Sequence, residues 1–396
     1  MEKNLGKEFP QPGLERVAVF AEKYIQEIKV RNIKVVTIAG TNGKGSVTNS
    51  LSVLAKLNQK KGATWMSPHL ITIRERFIFD NQLSSYEELE TIIQKIWQIQ
   101  QAKKIQLTYY EFLFICFLEF ALDPIKKVEL LFLEVGLGGR LDAVNVLDAD
   151  FVAITSISRD HENILGRGYA NILREKLGVI RKKTQVFSQF DLQFLKERTA
   201  NYFLTNNFSL DLWTNLEIKE SYKVKNYELA VTLYRKIDAS AQKFLELSEI
   251  ETNQYLYRMN RFTQNKQEYH FVGAHNIDGV RAMLAEIKAT NRPFTYALIS
   301  FSQRSEAEAQ AMLKMVGEIP YLRKIYLTSF DHFKAMAKDQ MKCLSKLKLS
   351  IPIEYVDNFE LVIEELHELQ KDEHFHILVA GSYYFLGMVE LHFLSQ

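Results

Sequence analysis

The chain has little cysteine: only Cys116 and Cys343 among 396 residues. They stand far apart among apolar neighbours, which argues against a disulfide framework or a thiolate metal cluster. Both read as buried core thiols in a reducing compartment. Net charge is also small, +2 from 50 Lys and Arg against 48 Asp and Glu. Such a balance argues against the broad basic footprint of a nucleic-acid binder. A long apolar run is missing as well. The greasiest stretch, YYEFLFICFLEFAL (Tyr109 to Leu122), is shorter than the roughly 20 residues that span a bilayer. It carries Glu111 and Glu119, so it reads as a buried helix and not as a membrane anchor. The opening MEKNLGKEFPQPGLERV offers no apolar core for a secretion signal, and the expected location is cytoplasmic. No internal repeat or low-complexity tract is evident. What remains, 47% apolar and 25% charged residues, is ordinary globular composition, and the length suits about two domains.

The first third alternates strand and helix. NIKVVTIAG is a β-branched run stopped by glycine. SVTNSLSVLAKLNQKKG then has apolar residues at helical spacing and a last glycine, Gly62, placed to cap the helix. EELETIIQKIWQIQQAKK repeats the period, with Leu89, Ile92, Ile96 and Ile99 on one face. VELLFLEVGLGG and DFVAITSIS are continuous apolar runs, suited to strands buried on both faces of a parallel sheet. From about Asp191 to Tyr257 the pattern is uninformative. After YRMNRFTQNKQ a second series begins with YHFVGAHN, helix IDGVRAMLAEIKA and strand FTYALISF, and it closes on strand FHILVAG. The expectation is an α/β protein. A P-loop-type doubly wound N-terminal domain covers 1–264 with the linker, and a smaller Rossmann-like C-terminal domain covers 265–396. The boundary falls near Arg258 to Gln264, and ligands gather at the carboxyl ends of the strands.

The first such loop is TIAGTNGKGSVTNS, Thr37 to Ser50. It departs from the common P-loop: Ile38 stands where the first glycine would be, and Gly45 separates Lys44 from Ser46. Even so, Gly40, Gly43 and Gly45 between a buried strand and a helix start aim backbone N–H groups and the helix dipole at one spot. Lys44 adds a charge, and Ser46 a hydroxyl for phosphate or Mg²⁺. A ligand-free glycine turn is the plainer alternative. Glu134 ends strand LLFLE and is placed to hold a hard cation or order a metal-bound water, or else to cap a helix or pair with Arg140. Asp160-His161 ends the next strand. Ser67 in MSPHL is unremarkable alone, and Lys176 in REKLGVI reads by default as a solvated surface lysine.

Taken together and in order, AGTNGKGS, SPHL with RERF, EVGLGGRLDAVN, DHENILG, EKLGVI, GAHN and GSYYFLG resemble the folylpolyglutamate synthase/dihydrofolate synthase family of the Mur ligase superfamily. The resemblance runs from about Pro12 to Val389. It implies an ATP-dependent amide ligase in which a folate or dihydropteroate carboxylate takes the γ-phosphate and L-glutamate then displaces phosphate. It further implies that Gly40, Thr41, Asn42, Gly43, Lys44, Gly45 and Ser46 wrap ATP. Ser67, Glu134 and His161 match the family's Mg²⁺ ligands, with Ser46 near a second metal position and a monovalent cation as a further companion. Lys176 matches a lysine that the family carbamylates. His69, Arg140, Asp142 and Ser382 fall on the substrate side. Arg261, His275 and Asn276 match residues that meet ATP when the domains close, and the acting form is a monomer. Three departures stand out. Val272 replaces an Asp before Gly273, Met259-Asn260-Arg261-Phe262-Thr263 replaces Pro-Gly-Arg-Leu-Glu, and Lys334 stands where Arg is usual. They motivate a second reading, a paralogue that binds nucleotide or folate with weak ligation. A third is a ligase of the same superfamily with another acceptor; no separate domain precedes IKVVTIAG to hold a UDP-sugar substrate.

Overall fold

A computed structural model of the chain describes residues 13–189, 213–216, 221–252, 261–264, 267–290, 292–368 and 375–395. The chain divides into two compact units, Met1–Asn253 and Gln254–Gln396.

In the first unit the apolar runs become one eight-stranded sheet. Its strands are β1 (Lys34–Ala39), β2 (Gly62–Trp65), β3 (Ile78–Phe79), β4 (Gln82–Leu83), β5 (Leu130–Glu134), β6 (Phe151–Ile154), β7 (Gln185–Ser188) and β8 (Trp213–Asn215). The order is β4-β3-β2-β5-β1-β6-β7-β8, parallel except at one edge, where β3 pairs antiparallel with both β2 and β4. Helices α1 (Glu15–Val30), α2 (Lys44–Leu57), α3 (Tyr86–Lys103), α4 (Tyr109–Ala121), α5 (Glu162–Leu165), α6 (Tyr169–Leu177) and a helix at Tyr222–Ile237 accompany it. Side chains alternate across a strand, so a run that is apolar throughout needs cover on both sides. Val36, Ile38, Phe132 and Ala153 meet α2 and Tyr222–Ile237 on one face. Val35, Ala39, Leu131, Leu133 and Val152 meet α1, α3 and α4 on the other.

The greasy run forms α4, buried along nearly its whole length as expected. A reciprocal capping box starts it: Thr108 Oγ1 accepts from Glu111 N at 3.2 Å, and Glu111 Oε2 accepts from Thr108 N at 2.8 Å. Among the described residues no helix is long and apolar enough to cross a membrane. Two expectations are corrected. Gly62 caps nothing, because α2 ends at Leu57 and Gly62 opens β2 beneath the Phe132 ring. Cys116 is buried, but Cys343 is exposed.

β1 neighbours β5 on one side and β6 on the other, so the chain reverses its direction of travel across the sheet there. Such a reversal opens a crevice at the strands' carboxyl ends. The TIAGTNGKGS loop leaves β1 at this point.

The second unit has a six-stranded sheet of order β13-β12-β11-β14-β10-β9. Its strands are β9 (Arg261–Gln264), β10 (Gln267–Val272), β11 (Phe294–Ser300), β12 (Lys324–Thr328), β13 (Ile353–Val356) and β14 (Phe375–Gly381). All run parallel except β9, which pairs antiparallel with β10. Arg261–Gln264, placed in the linker by the sequence reading, thus adds an edge to this sheet. Met259 and Asn260, in the altered linker motif, lie outside the described residues. Helices Ile277–Thr290, Glu306–Val316 and Lys338–Leu344 cover one face, and Phe359–Glu368 and Tyr383–Leu394 cover the other.

Candidate active site

The loop after β1 is held open by its glycines. Gly40 has φ +143°, and a Cβ there would lie 1.9 Å from Thr155 Oγ1. Gly43 has φ +89°, and its Cβ would lie 2.6 Å from the Asn226 amide. Both positions therefore combine a left-handed backbone with a neighbour in the way. The loop is then tied to the end of β6. Thr41 N donates to Ser156 O at 2.7 Å, and Ser158 N donates to Thr41 Oγ1 at 3.0 Å. Asn42 N donates to Ser156 Oγ at 2.9 Å, while Thr155 Oγ1 donates to Asn42 O at 2.7 Å. Helix α2 begins at Lys44 with no side-chain cap, so its first-turn N–H groups face the loop as an anion site requires. Gly45 and exposed Ser46 lie in that turn.

Two lysines converge on one carbonyl. Lys44 Nζ donates to Gly40 O at 3.2 Å and to Thr41 O at 3.0 Å. Lys176 Nζ, from α6, donates to the same Gly40 O at 2.7 Å. Lys176 is 4% exposed, so it is no surface lysine. Burial first, and then the Lys44 charge, lower its pKa to about 7; Asp160 and Asp142 oppose the shift.

The end of β5 supplies a buried carboxylate. Glu134 Oε2 accepts from Ser67 N at 2.9 Å. Ser67 Oγ is itself buried without a hydrogen-bond partner. A hydroxyl left alone beside a buried carboxylate is costly unless a ligand completes it. Oxygen donors of this kind fit a hard cation such as Mg²⁺. Arg140 does not take up Glu134; it turns to Glu175, with Nε at 3.0 Å. His161 heads the short α5 with φ +53°, is exposed, and has its Nε2 3.7 Å from Asp160 Oδ1.

Asp142 organises the glycine loop after β5. It accepts from Gly136 N (2.9 Å), Leu137 N (3.0 Å), Val144 N (3.1 Å) and Tyr110 Oη (3.1 Å). Burial outweighs these four donors and raises its pKa to about 6. Tyr110 also accepts from Trp65 Nε1 at 3.2 Å. Nearby, buried Arg76 donates through Nε to His69 Nδ1 at 2.8 Å. Its Nη1 is buried with no acceptor, which calls for a carbonyl or carboxylate from a ligand.

In the second unit, taken by itself, Gly273–Asn276 follows β10. His275 Nδ1 lies 3.1 Å from Gly273 O, and its ring lies 5.1 Å from that of Tyr383. Fully buried Asn276 accepts from Gly279 N at 2.8 Å and so fastens the loop to the next helix. Ser382 Oγ lies 2.7 Å from Ser302 Oγ. Arg261 pairs with Glu268 at 3.0 Å. Val272 is partly buried against the apolar core beside Ile277, a place that suits a valine.

No protein-family model matches the chain. It is similar to the dihydrofolate synthase/folylpolyglutamate synthase of Buchnera aphidicola, 36% identical over 191 residues, which is 47% of this chain and 44% of that protein. The chain thus spans under half the length of that relative. The Bacillus subtilis protein of the same name is 27% identical over 420 residues, covering 95% of this chain and 94% of the relative. These curated relatives are members of the dihydrofolate synthase/folylpolyglutamate synthase family, and it is to them that the chain is similar. Solved structures of that family share the fold. Escherichia coli FolC in complex with DHPP and ADP has a TM-score of 0.80 at 21% identity, covering 99% of this chain and 96% of that one. Mycobacterium tuberculosis folylpolyglutamate synthase with ADP and AMPPCP has a TM-score of 0.81 at 19% identity, covering 96% and 95%.

Of the residues that hold these loops, the sequence reading missed four. Tyr110 sat in a run read as core, and Ser156 in a run read as strand. Asn226, which wedges against Gly43, came from the stretch that showed no pattern. Arg76 was within reach, since it stands in the RERF motif beside SPHL.

Proposed function

We propose that this protein is an ATP-dependent amide ligase that joins L-glutamate to a folate or dihydropteroate carboxylate through an acyl phosphate. The observation that carries the reading is the pair Lys44 and Lys176 on Gly40 O at the head of an uncapped helix. The Lys44 charge together with the first-turn N–H groups, in a half-buried loop, suits a polyphosphate. The solved relatives support the choice of ligands: E. coli FolC holds DHPP and ADP, and a bifunctional relative holds Mn, AMPPNP and L-glutamate.

In this reading the loop 40–46 fixes the phosphates of ATP, and the substrate carboxylate oxygen attacks the γ-phosphorus while ADP leaves. The glutamate amine then attacks the acyl carbon, the carbon–oxygen bond to phosphate breaks, and inorganic phosphate departs. Positioning and charge neutralisation supply most of the catalysis. Ser67 and Glu134, with His161 and with Ser46 at a second position, would hold Mg²⁺, which neutralises phosphate charge. Arg76 offers its unmatched N–H to the acceptor substrate, beside His69. Asp142 keeps the 136–144 backbone in place beside the substrate. Lys176, with a pKa near 7, is partly a neutral amine at physiological pH. Such an amine can add CO₂ and release a proton, giving a carbamate anion close to the metal-binding side of the loop. The free thiols of Cys116 and Cys343 are in keeping with a cytoplasmic location.

The test is a purified-protein assay for ADP release that requires Mg²⁺, L-glutamate and a reduced folate or dihydropteroate. Mass spectrometry should show a product heavier by a glutamyl residue. ATP binding without turnover on any pteroate or folate would refute the substrate assignment.

A further inference from the structure

A second cluster of metal-ligating side chains lies away from the loops described above. Glu268 and His270 are two apart on β10, so they share a face, and His376 on β14 is the register partner of Glu268. All three sit toward the amino ends of these parallel strands, whereas Gly273–Asn276 and Ser382 follow the carboxyl ends. His270 Nε2 is 3.1 Å from His376 Nδ1 and 3.2 Å from Glu268 Oε1, and His376 Nδ1 is 3.6 Å from Glu268 Oε2. A tetrahedral zinc with bonds of about 2.0–2.1 Å needs ligand atoms about 3.3 Å apart. The two His270 spacings lie close to that value, and the His376 spacing is to the second carboxylate oxygen, so a small turn of the Glu268 carboxylate brings one oxygen to face both rings. We propose that Glu268, His270 and His376 form a site for a divalent transition metal of the zinc type, with a water in the fourth position.

The surroundings suit this. Side-chain exposures of 5% for His270, 14% for Glu268 and 24% for His376 leave one side open to solvent for entry and for the water. The Phe294 ring walls the other side, 5.1 Å from His270 and 6.4 Å from His376. Arg261 donates to Glu268 Oε1 at 3.0 Å, an outer contact that orients the carboxylate. Imidazole with carboxylate favours zinc-type ions over Mg²⁺, which prefers oxygen ligands. One contact has to change. Arg292 Nη1 donates to His270 Nδ1 at 3.1 Å, so neutral His270 carries its proton on Nε2. Ligation through Nε2 moves that proton to Nδ1 and turns Arg292 outward, with no net proton released. The ion would staple β10 to β14.

The test uses the full chain without an affinity tag, stripped with a chelator and titrated with Co²⁺. Four-coordinate Co²⁺ absorbs strongly in the visible, whereas six-coordinate Co²⁺ at an oxygen-rich site absorbs weakly, so the two kinds of site are told apart. The expected result is one strongly absorbing ion per chain that Zn²⁺ displaces. Zn²⁺ should also raise the thermal unfolding midpoint. His376→Ala should lose the band and the thermal shift while keeping the wild-type circular dichroism. Glu268→Gln serves as the second variant if His376→Ala does not fold. No strong band in the wild type, or a band unchanged in the folded variants, overturns the site and leaves the cluster as a hydrogen-bonded network.

Discussion

Replacing Lys176 by Met removes a buried amine while keeping the length of its stem. The folded chain holds this amine near pKa 7, against 10.5 for a free lysine. Between those values the unfolded chain keeps a proton that the folded chain has shed, so stability rises with pH across the window and is lowest below pH 7. The penalty amounts to about 4 kcal/mol at pH 7 and about 2 kcal/mol at pH 9. Losing the hydrogen bond to Gly40 O takes back about 1 kcal/mol, and no more, because Lys44 still serves that carbonyl. Lys176→Met is therefore expected to be more stable than the wild type by about 3 kcal/mol at pH 7 and about 1 kcal/mol at pH 9. Urea unfolding followed by tryptophan fluorescence reads this directly, since Trp65, Trp97 and Trp213 all lie in the first unit. The buffers must be free of CO₂. Added bicarbonate should then stabilise the wild type and leave the variant unmoved. Parallel stability–pH curves for the two proteins would refute the reasoning, because they would mean that Lys176 keeps its charge in the folded chain.

Gly40→Ala should weaken ATP binding about tenfold or more, since φ +143° and the 1.9 Å approach to Thr155 Oγ1 force the loop to shift; nucleotide titration by calorimetry checks this, and an unchanged affinity would count against the cradle. Glu134→Gln keeps an acceptor for Ser67 N but removes the charge, so half-maximal ADP release should need about tenfold more Mg²⁺; an unchanged Mg²⁺ requirement would remove Glu134 from the metal site.

The parallel sheets were legible because their strands are apolar on both faces, and few other elements are. Val35 to Ala39 and Leu130 to Leu133 could hardly be anything else. β8 was not legible: it is a three-residue edge strand, Trp-Thr-Asn, with an exposed centre and no run to recognise. The helix Tyr222–Ile237 was hidden for another reason. Lys223, Lys225, Glu228, Arg235 and Lys236 dilute the apolar period that Leu229, Leu233 and Tyr234 carry into the core. Gly62 misled because a glycine after a helix is usually its cap, whereas here close packing on Phe132 explains it. In the site, the glycine loop and the buried strand-end Glu134 could be read locally. The Lys176 contact could not, because Gly40 and Lys176 lie 136 positions apart in the chain.

That long-range contact also bears on the loop's own lysine. Lys44 is the first residue of α2 and folds back onto Gly40 O and Thr41 O. Two neutral carbonyls are weaker partners for an ammonium group than phosphate oxygens are, because phosphate carries the opposite full charge. Lys44 can therefore move to an incoming phosphate at little cost. The same movement takes a like charge away from Lys176, the second-largest cause of that lysine's lowered pKa. In the proposed function, phosphate binding and the charge state of Lys176 are thus coupled through the charge of Lys44.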